Sequence, residues 1–158
     1  MIYVREHVQL SVPVATAWDW LSNLEWLVTV NVFHQAARFA GEQRLGVGTR
    51  LVVDHGFSRG PFVPRLLRVT HWDEGRRIRW TEVDPSARKY LFPHAQQFSL
   101  SPIGENLTLL TDELRGTLNL PVLGGLVDKL LERAIVQWAV RRECACIRRQ
   151  LTDVRIQS

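Results

Sequence analysis

Residues 123–151 read LGGLVDKLLERAIVQWAVRRECACIRRQL. The stretch is apolar enough to raise a membrane span and basic enough to raise an RNA contact. Its Cys-Ala-Cys raises a metal or redox pair. Asp128, Lys129, Glu132 and Arg133 put too much charge in it for a spanning helix. On a helix, at about 100° per residue, Cys144 and Cys146 lie about 200° apart. They cannot share one disulfide or one metal ion, and they read as small helix residues. Pro121, Gly124 and Gly125 lead in, so the pattern predicts one helix over about 123–153. Roughly thirty residues at 1.5 Å rise span about 45 Å, the width of a small domain. With Leu130 set at zero, Leu123, Leu126, Val127, Ala134 and Trp138 fall within about 80° of it. That stripe is the side predicted to be buried. Arg141 falls inside it at about 20°. Arg148 does too, but near the helix end, where a long stem snorkels easily. After residue 139 the stripe drifts toward Val140, Cys144, Ile147 and Leu151.

Ahead of this helix the period is two. In residues 2–11, Ile2, Val4, Val8 and Leu10 alternate with Tyr3, Arg5, His7 and Gln9, with Glu6 the odd member of the apolar set. Pro13 ends that strand. Trp18, Leu21 and Trp26 then follow at helical spacing. Asn23 marks a break between two short helices, the second running to about Phe33. Strands are predicted over 35–41, 50–57, 65–72, 77–83, 95–100 and 107–116. DEGR (73–76) and Pro102–Asn106 are hairpin turns, SRGPFVP (58–64) is a breaker, and 84–93 is a longer loop. Strands grouped apart from helices predict an α+β fold with an antiparallel sheet of about six to seven strands.

A chain of 158 residues suits one domain spanning 1–158. A hydrophobic share of 46% and a charged share of 23% are those of a globular protein. The formal net charge is +4, and of the 20 basic residues only Lys89 and Lys129 are lysine. The arginines are scattered from Arg5 to Arg155, dense only at 76–79 and 141–149, so specific nucleic-acid binding is not expected. The N-terminus lacks a basic region followed by an apolar core, and two cysteines make no disulfide framework. A cytoplasmic location is therefore expected. No zinc spacing links the five histidines, and no phosphate loop, dinucleotide fingerprint or nucleophile elbow is present. No metal or cofactor is predicted.

Four strings, in order, carry a resemblance. They are VPVATAWDWLSN (12–23), GVGTRL (46–51), VTHWDEGRRIRWTEV (69–83) and FSLSPIGENLTLLTDELRG (98–116). The sequence resembles the START-like, or SRPBCC, superfamily of polyketide cyclases and dehydrases, lipid-transport domains and the birch pollen allergen. The resemblance implies a helix-grip fold, in which a curved antiparallel sheet wraps a long C-terminal helix and two short helices follow strand 1. It also implies a hydrophobic cavity between sheet and helix. Members bind lipids, sterols, quinones, polyketides or hormones, some are enzymes and some are assembly factors. Fold alone does not choose among these.

The expected cavity wall comprises Trp26, Phe33, Val53, Phe57, Leu67, Val69, Trp80, Phe98 and Leu109 from the first half of the chain and the sheet. Leu126, Leu130, Ala134 and Trp138 come from the helix. His55 shares a face with Leu51, Val53 and Phe57, and His71 alternates with Leu67 and Val69. Each is hydrogen-bonded filler or a general acid/base. Glu6, Glu82 and Glu113 are in phase with apolar neighbours and stand at strand ends or need cationic partners. Arg141 pairs with a sheet carboxylate such as Glu6 or Glu113, or anchors a ligand oxyanion. Three functions follow. The first is binding of a small hydrophobic or lipid-like ligand such as a lipid, quinone or polyketide. The second is a cyclase or dehydratase using His55 or His71 with Arg141. The third is an interaction module with a basic helical surface.

Overall fold

The computed structural model describes residues 1–23, 26, 30–41, 45–56, 62–83, 93–117 and 126–153, the last stretch with side chains for 130–152. Strand β1 is Ile2–Leu10, helix α1 Val14–Leu21, β2 His34–Phe39, β3 Arg50–His55 and β4 Val63–Asp73. Then come β5 Arg77–Glu82, β6 His94–Gly104, β7 Leu107–Gly116 and helix α2 Leu126–Asp153. The seven strands form one antiparallel sheet in the order β1-β7-β6-β5-β4-β3-β2. The predicted second short helix falls mostly outside the described residues, as does Phe57.

Local chemistry places the elements. Pro13, extended at φ −60°, closes β1, and its carbonyl accepts the Ala17 N–H at 3.1 Å to start α1. The β4–β5 turn runs through Gly75 at φ +70°, a conformation that costs a side-chain-bearing residue. Asp73 closes that turn, its carbonyl taking the Arg76 N–H and its carboxylate the Arg77 guanidinium at 2.6 and 3.0 Å.

Strand alternation fixes which residues face inward. Across the sheet the inner rows hold Val4, Leu114, Gln96, Trp80 and Val69, and beside them Glu6, Asp112, Phe98 and Ile78. Three predicted positions are corrected by these rows. On β7 the inward set is Thr108, Leu110, Asp112 and Leu114, so Leu109 and Glu113 lie on the outer face. The two sets alternate equally well in sequence, and β1 decides between them because Val4 pairs with Leu114 and Glu6 with Asp112. On β4 the register shifts between Val69 and His71, so Thr70 and His71 together oppose Arg79. Such a bulge reverses the alternation beyond it. His71 is therefore exposed, and Trp72 turns inward to meet the Trp18 ring edge-on at 5.1 Å.

The helix is corrected as well. Its buried stripe is Val136, Val140, Cys144, Ile147 and Leu151, not the stripe through Leu130. Val136 and Val140 pack on Ile2, Val4 and Leu114. Ile147 and Leu151 join the larger core of Trp18, Leu51, Leu67, Trp80 and Phe98. Leu130 and Trp138 are 63% and 50% exposed, and Ala134 is exposed. The reason lies further along the same helix. The Leu130 stripe runs on into Arg141 and Arg148, whose burial would cost several kcal/mol each, roughly. The stripe about a quarter turn away stays apolar for four turns, with one carboxyl, Glu143, that finds partners.

Candidate functional site

The inner face is apolar over most of its width, with Val53, Leu67, Val69, Trp80 and Phe98 at 0–1% exposure. Those five predicted wall residues face the sheet's concave side. Polar groups gather there too. Asp112, at the middle of β7, is fully buried, and so in effect are Gln96 on β6 and Glu143 on α2. The Gln96 side-chain amide donates to both Asp112 carboxyl oxygens at 3.1 and 3.2 Å and to Glu143 Oε2 at 3.1 Å. Asn31 Nδ2 adds a second donor to Glu143 Oε2 at 3.2 Å, while Asn31 Oδ1 accepts the Phe33 N–H at 2.9 Å. One amide thus ties the sheet to the helix through two acids.

Burial raises both carboxyls. Asp112 stands well above the usual carboxylate range, through desolvation first and the neighbouring Glu143 charge second. Desolvation lifts Glu143 from 4.5 to about 7, against the pull of its Gln96 and Asn31 donors. The pair therefore holds a proton near neutrality. Glu143 Oε2 already accepts two N–H groups, and Oε1 is buried without a hydrogen-bond partner among the described residues.

A second polar group stands beside the first. His34, buried on β2, meets the His55 ring edge-on at 4.3 Å, and His94 on β6 lies 6.0 Å from His55. His94 is two residues from Gln96 on one face of β6, and Asn31 is three residues from His34. Arg65 and Glu82, 3.6 Å apart with side chains 10% and 1% exposed, complete this end. Glu82 thus faces inward, as its phase implied, with a cationic partner. His55 Nδ1 lies 3.0 Å from the Val53 carbonyl. A carbonyl only accepts, so Nδ1 carries the hydrogen and Nε2 keeps a bare lone pair. That Nε2 is buried with no hydrogen-bond partner among the described residues. Burial lowers the His55 pKa to about 4, so the ring is neutral at pH 7. No group of three or more His, Cys, Asp or Glu among the described residues has metal-binding geometry.

The remaining predicted residues are dispersed. Trp26 is half-buried with its ring stacked on Trp20 at 5.8 Å, and Phe33 is half-buried. The Leu126 side chain lies outside the described residues. Arg141 is not in the interior. Its Nε donates to Glu6 Oε1 at 2.8 Å across the β1 edge, with the arginine 63% exposed. Gln137 donates to the same oxygen at 3.2 Å. Glu113, on the outer face, takes Arg5 at 3.1 Å and the Tyr3 hydroxyl at 3.2 Å. It borders a shallow polar depression of about 70 Å³ with Arg79, Gln97 and Arg115. Cys144 is buried and Cys146 half-buried, both as free thiols. No helix among the described residues is long and apolar enough to cross a membrane.

Sequence reasoning missed Asn31, Gln96, Asp112 and Glu143. A signal existed for two of them. Asp112 sits between Leu110 and Leu114 in a period-two set. Glu143 is three residues from Val140 and four from Ile147, on the stripe that is buried.

A sheet of seven antiparallel strands closing on a long C-terminal helix, with a mixed apolar and polar interior, defines the START-like helix-grip fold, and this chain has it. No protein-family model matches the sequence, and no curated relative does. Solved structures do match. The protein TTHA0849 from Thermus thermophilus superposes with a TM-score of 0.74 at 21% identity, over 96% of this chain and 98% of that one. A START superfamily protein from Mycobacterium smegmatis gives 0.71 at 19%, over 96% and 98%. Norcoclaurine synthase from Thalictrum flavum, in complex with dopamine and hydroxybenzaldehyde, gives 0.66 at 11%, over 96% and 86%. Identities this low speak for the fold alone.

Proposed function

We propose that the cup between sheet and helix binds a small, largely apolar, uncharged molecule whose hydroxyl donates to His55 Nε2. The observation that carries this reading is that lone pair, fixed as an acceptor by the Val53 carbonyl and buried without a partner among the described residues. A buried acceptor left unmade costs roughly 1–3 kcal/mol, which a ligand hydroxyl recovers. The surrounding Val53 and Leu67 favour an apolar body. An anion is disfavoured, since it would face the imidazole lone pair and the buried Asp112 and Glu143 carboxyls, while the Arg65 guanidinium at this end is paired with Glu82. The norcoclaurine synthase complex, with a hydroxylated aromatic aldehyde in the same fold, is consistent with such a ligand.

The test uses naphthol, its methyl ether and naphthoate, matched in shape, with tryptophan fluorescence as the readout. Naphthol is expected to bind about tenfold more tightly than the ether, with naphthoate weakest. In His55→Phe the first difference disappears, and in His55→Gln part of it returns. Equal binding of naphthol and ether would overturn the role of His55. Absence of binding by all three would overturn the cup as an apolar site.

A proton-transfer enzyme is the second reading, favoured by one observation. The neutral His55 base and the Glu143 acid, at about 7, occupy one interior. Arg141 supplies no oxyanion anchor in it, because it is held outside by Glu6. Turnover of a hydroxylated carbonyl compound that His55→Phe abolishes, with binding retained, is the result this reading requires.

A further inference from the structure

The outer side of α2 carries an apolar strip followed by arginines. Leu130, Ala134 and Trp138 recur every four residues, and Leu131 and Ile135 widen the strip. Leu130 and Trp138 are at least half exposed, and Leu131 and Ile135 about two-fifths. Along the same face, toward the C-terminus, follow Arg141, Arg142, Arg148 and Arg149, all exposed. Arg141 is held on Glu6. None of the ion pairs among the described residues involves the other three. The Arg142 guanidinium lies 5.5 Å over the Trp138 ring. The helix acids whose side chains are described, Glu132 and Glu143, are buried on the opposite side. From Leu130 to Arg149 the strip is about 28 Å long at 1.5 Å per residue.

We propose that this strip is a docking face for an anionic lipid surface. Large apolar side chains followed by arginines on one helix face match the interface of a bilayer. Leucine, isoleucine and tryptophan enter the acyl boundary, and guanidinium groups meet phosphates. Tryptophan beside arginine suits that boundary, where an aromatic body is apolar on one side and wet on the other. Charge complementarity selects the occupant. The arginines run in series with no acid on the strip among the described residues, which fits a diffuse anionic surface better than a protein with charges of both signs. The apolar half offers a nucleic acid little, since phosphate contacts need only the arginines. The face is distinct from the cup, and the proposal stands whether or not the cup binds a naphthol.

Co-sedimentation with vesicles tests it. One set is pure phosphatidylcholine, and the other carries about a third phosphatidylglycerol, a composition with a strong negative surface potential. The protein is expected to sediment with the anionic vesicles and not with the neutral ones. Trp138→Gln with Leu130→Gln, and separately Arg142→Gln with Arg149→Gln, are each expected to weaken binding about tenfold or more. Added salt weakens the wild type and the apolar-strip variant more than the arginine variant. All four side chains are exposed, so thermal melts of both variants should match the wild type and verify the fold. Three results would overturn the proposal. One is no anionic-vesicle binding at low salt. Another is a dimer in sedimentation equilibrium that Trp138→Gln with Leu130→Gln dissociates, which would assign the face to a second copy. The third is RNA binding of equal strength that survives loss of Leu130 and Trp138.

Discussion

Glu143→Gln should remove much of the pH dependence that the buried acid pair imposes on stability. In the unfolded chain Glu143 ionises near 4.5, and in the folded chain at about 7. Below about pH 4.5 both states hold the proton, and the carboxyl adds no pH-dependent cost. Between about 4.5 and 7 the unfolded chain releases it and the folded chain does not, so stability falls as pH rises. Above about 7 both are ionised, and the accumulated loss is roughly 3 kcal/mol. Asp112 is raised too, partly by the Glu143 charge, so removing that charge acts in the same direction. The amide is isosteric, and its oxygen can accept from Gln96 and Asn31 where Oε2 does now. Urea titrations of wild type and variant at pH 5, 6, 7, 8 and 9 provide the assay. The stability of Glu143→Gln relative to wild type should climb by roughly 2–3 kcal/mol from pH 5 to pH 9. Comparing the two proteins cancels the exposed ion pairs, whose own pH dependence runs the other way. A relative stability flat to within about 0.5 kcal/mol over that range would refute the reasoning, because a carboxyl that costs nothing to ionise is not a buried one.

Gln96→Leu removes the amide that donates to both acids and should destabilise the fold by roughly 2–4 kcal/mol, read as a shift in urea midpoint without a change in slope. Arg141→Ala breaks an exposed pair with Glu6 and should cost at most about 1 kcal/mol, less at high salt. A loss several times larger would mean that the arginine is buried after all. Burial pushes the Cys144 thiol well above the usual range, so iodoacetamide at pH 8 should label Cys146 first and reach Cys144 only on unfolding. Mass spectrometry of the labelled peptides distinguishes the two positions.

The element order was legible because each signal is local. Alternation in 2–10, the Pro13 stop, the DEGR turn and the length of the last helix are properties of neighbouring residues, and they predict a helix-grip fold. Orientation was less legible. His71 needed a bulge that one extra residue on β4 creates against β5, and nothing in THW (70–72) announces it. Leu109 and Leu110 compete for the inner face of β7 with equal hydrophobicity, and pairing with β1 decides. His55 and Glu82 keep the faces their strand alternation implies, because the extra residue of each bulge lies on the partner strand, β2 or β4.

By itself the sequence determined which segments are strands and which is the gripping helix, since period and turn chemistry are written within a few residues. It also determined that the last helix is not apolar enough to cross a membrane, since its charges lie within the segment itself. Only the tertiary structure decided which way that helix rolls. Two apolar stripes about a quarter turn apart compete, and the sheet buries the one that carries no arginine and whose Glu143 accepts from Gln96 and Asn31. That choice depends on partners far away in the chain. It moved Arg141 from the interior to the β1 edge, placed an acid pair in the interior between sheet and helix, and left Leu130 and Trp138 on the outside.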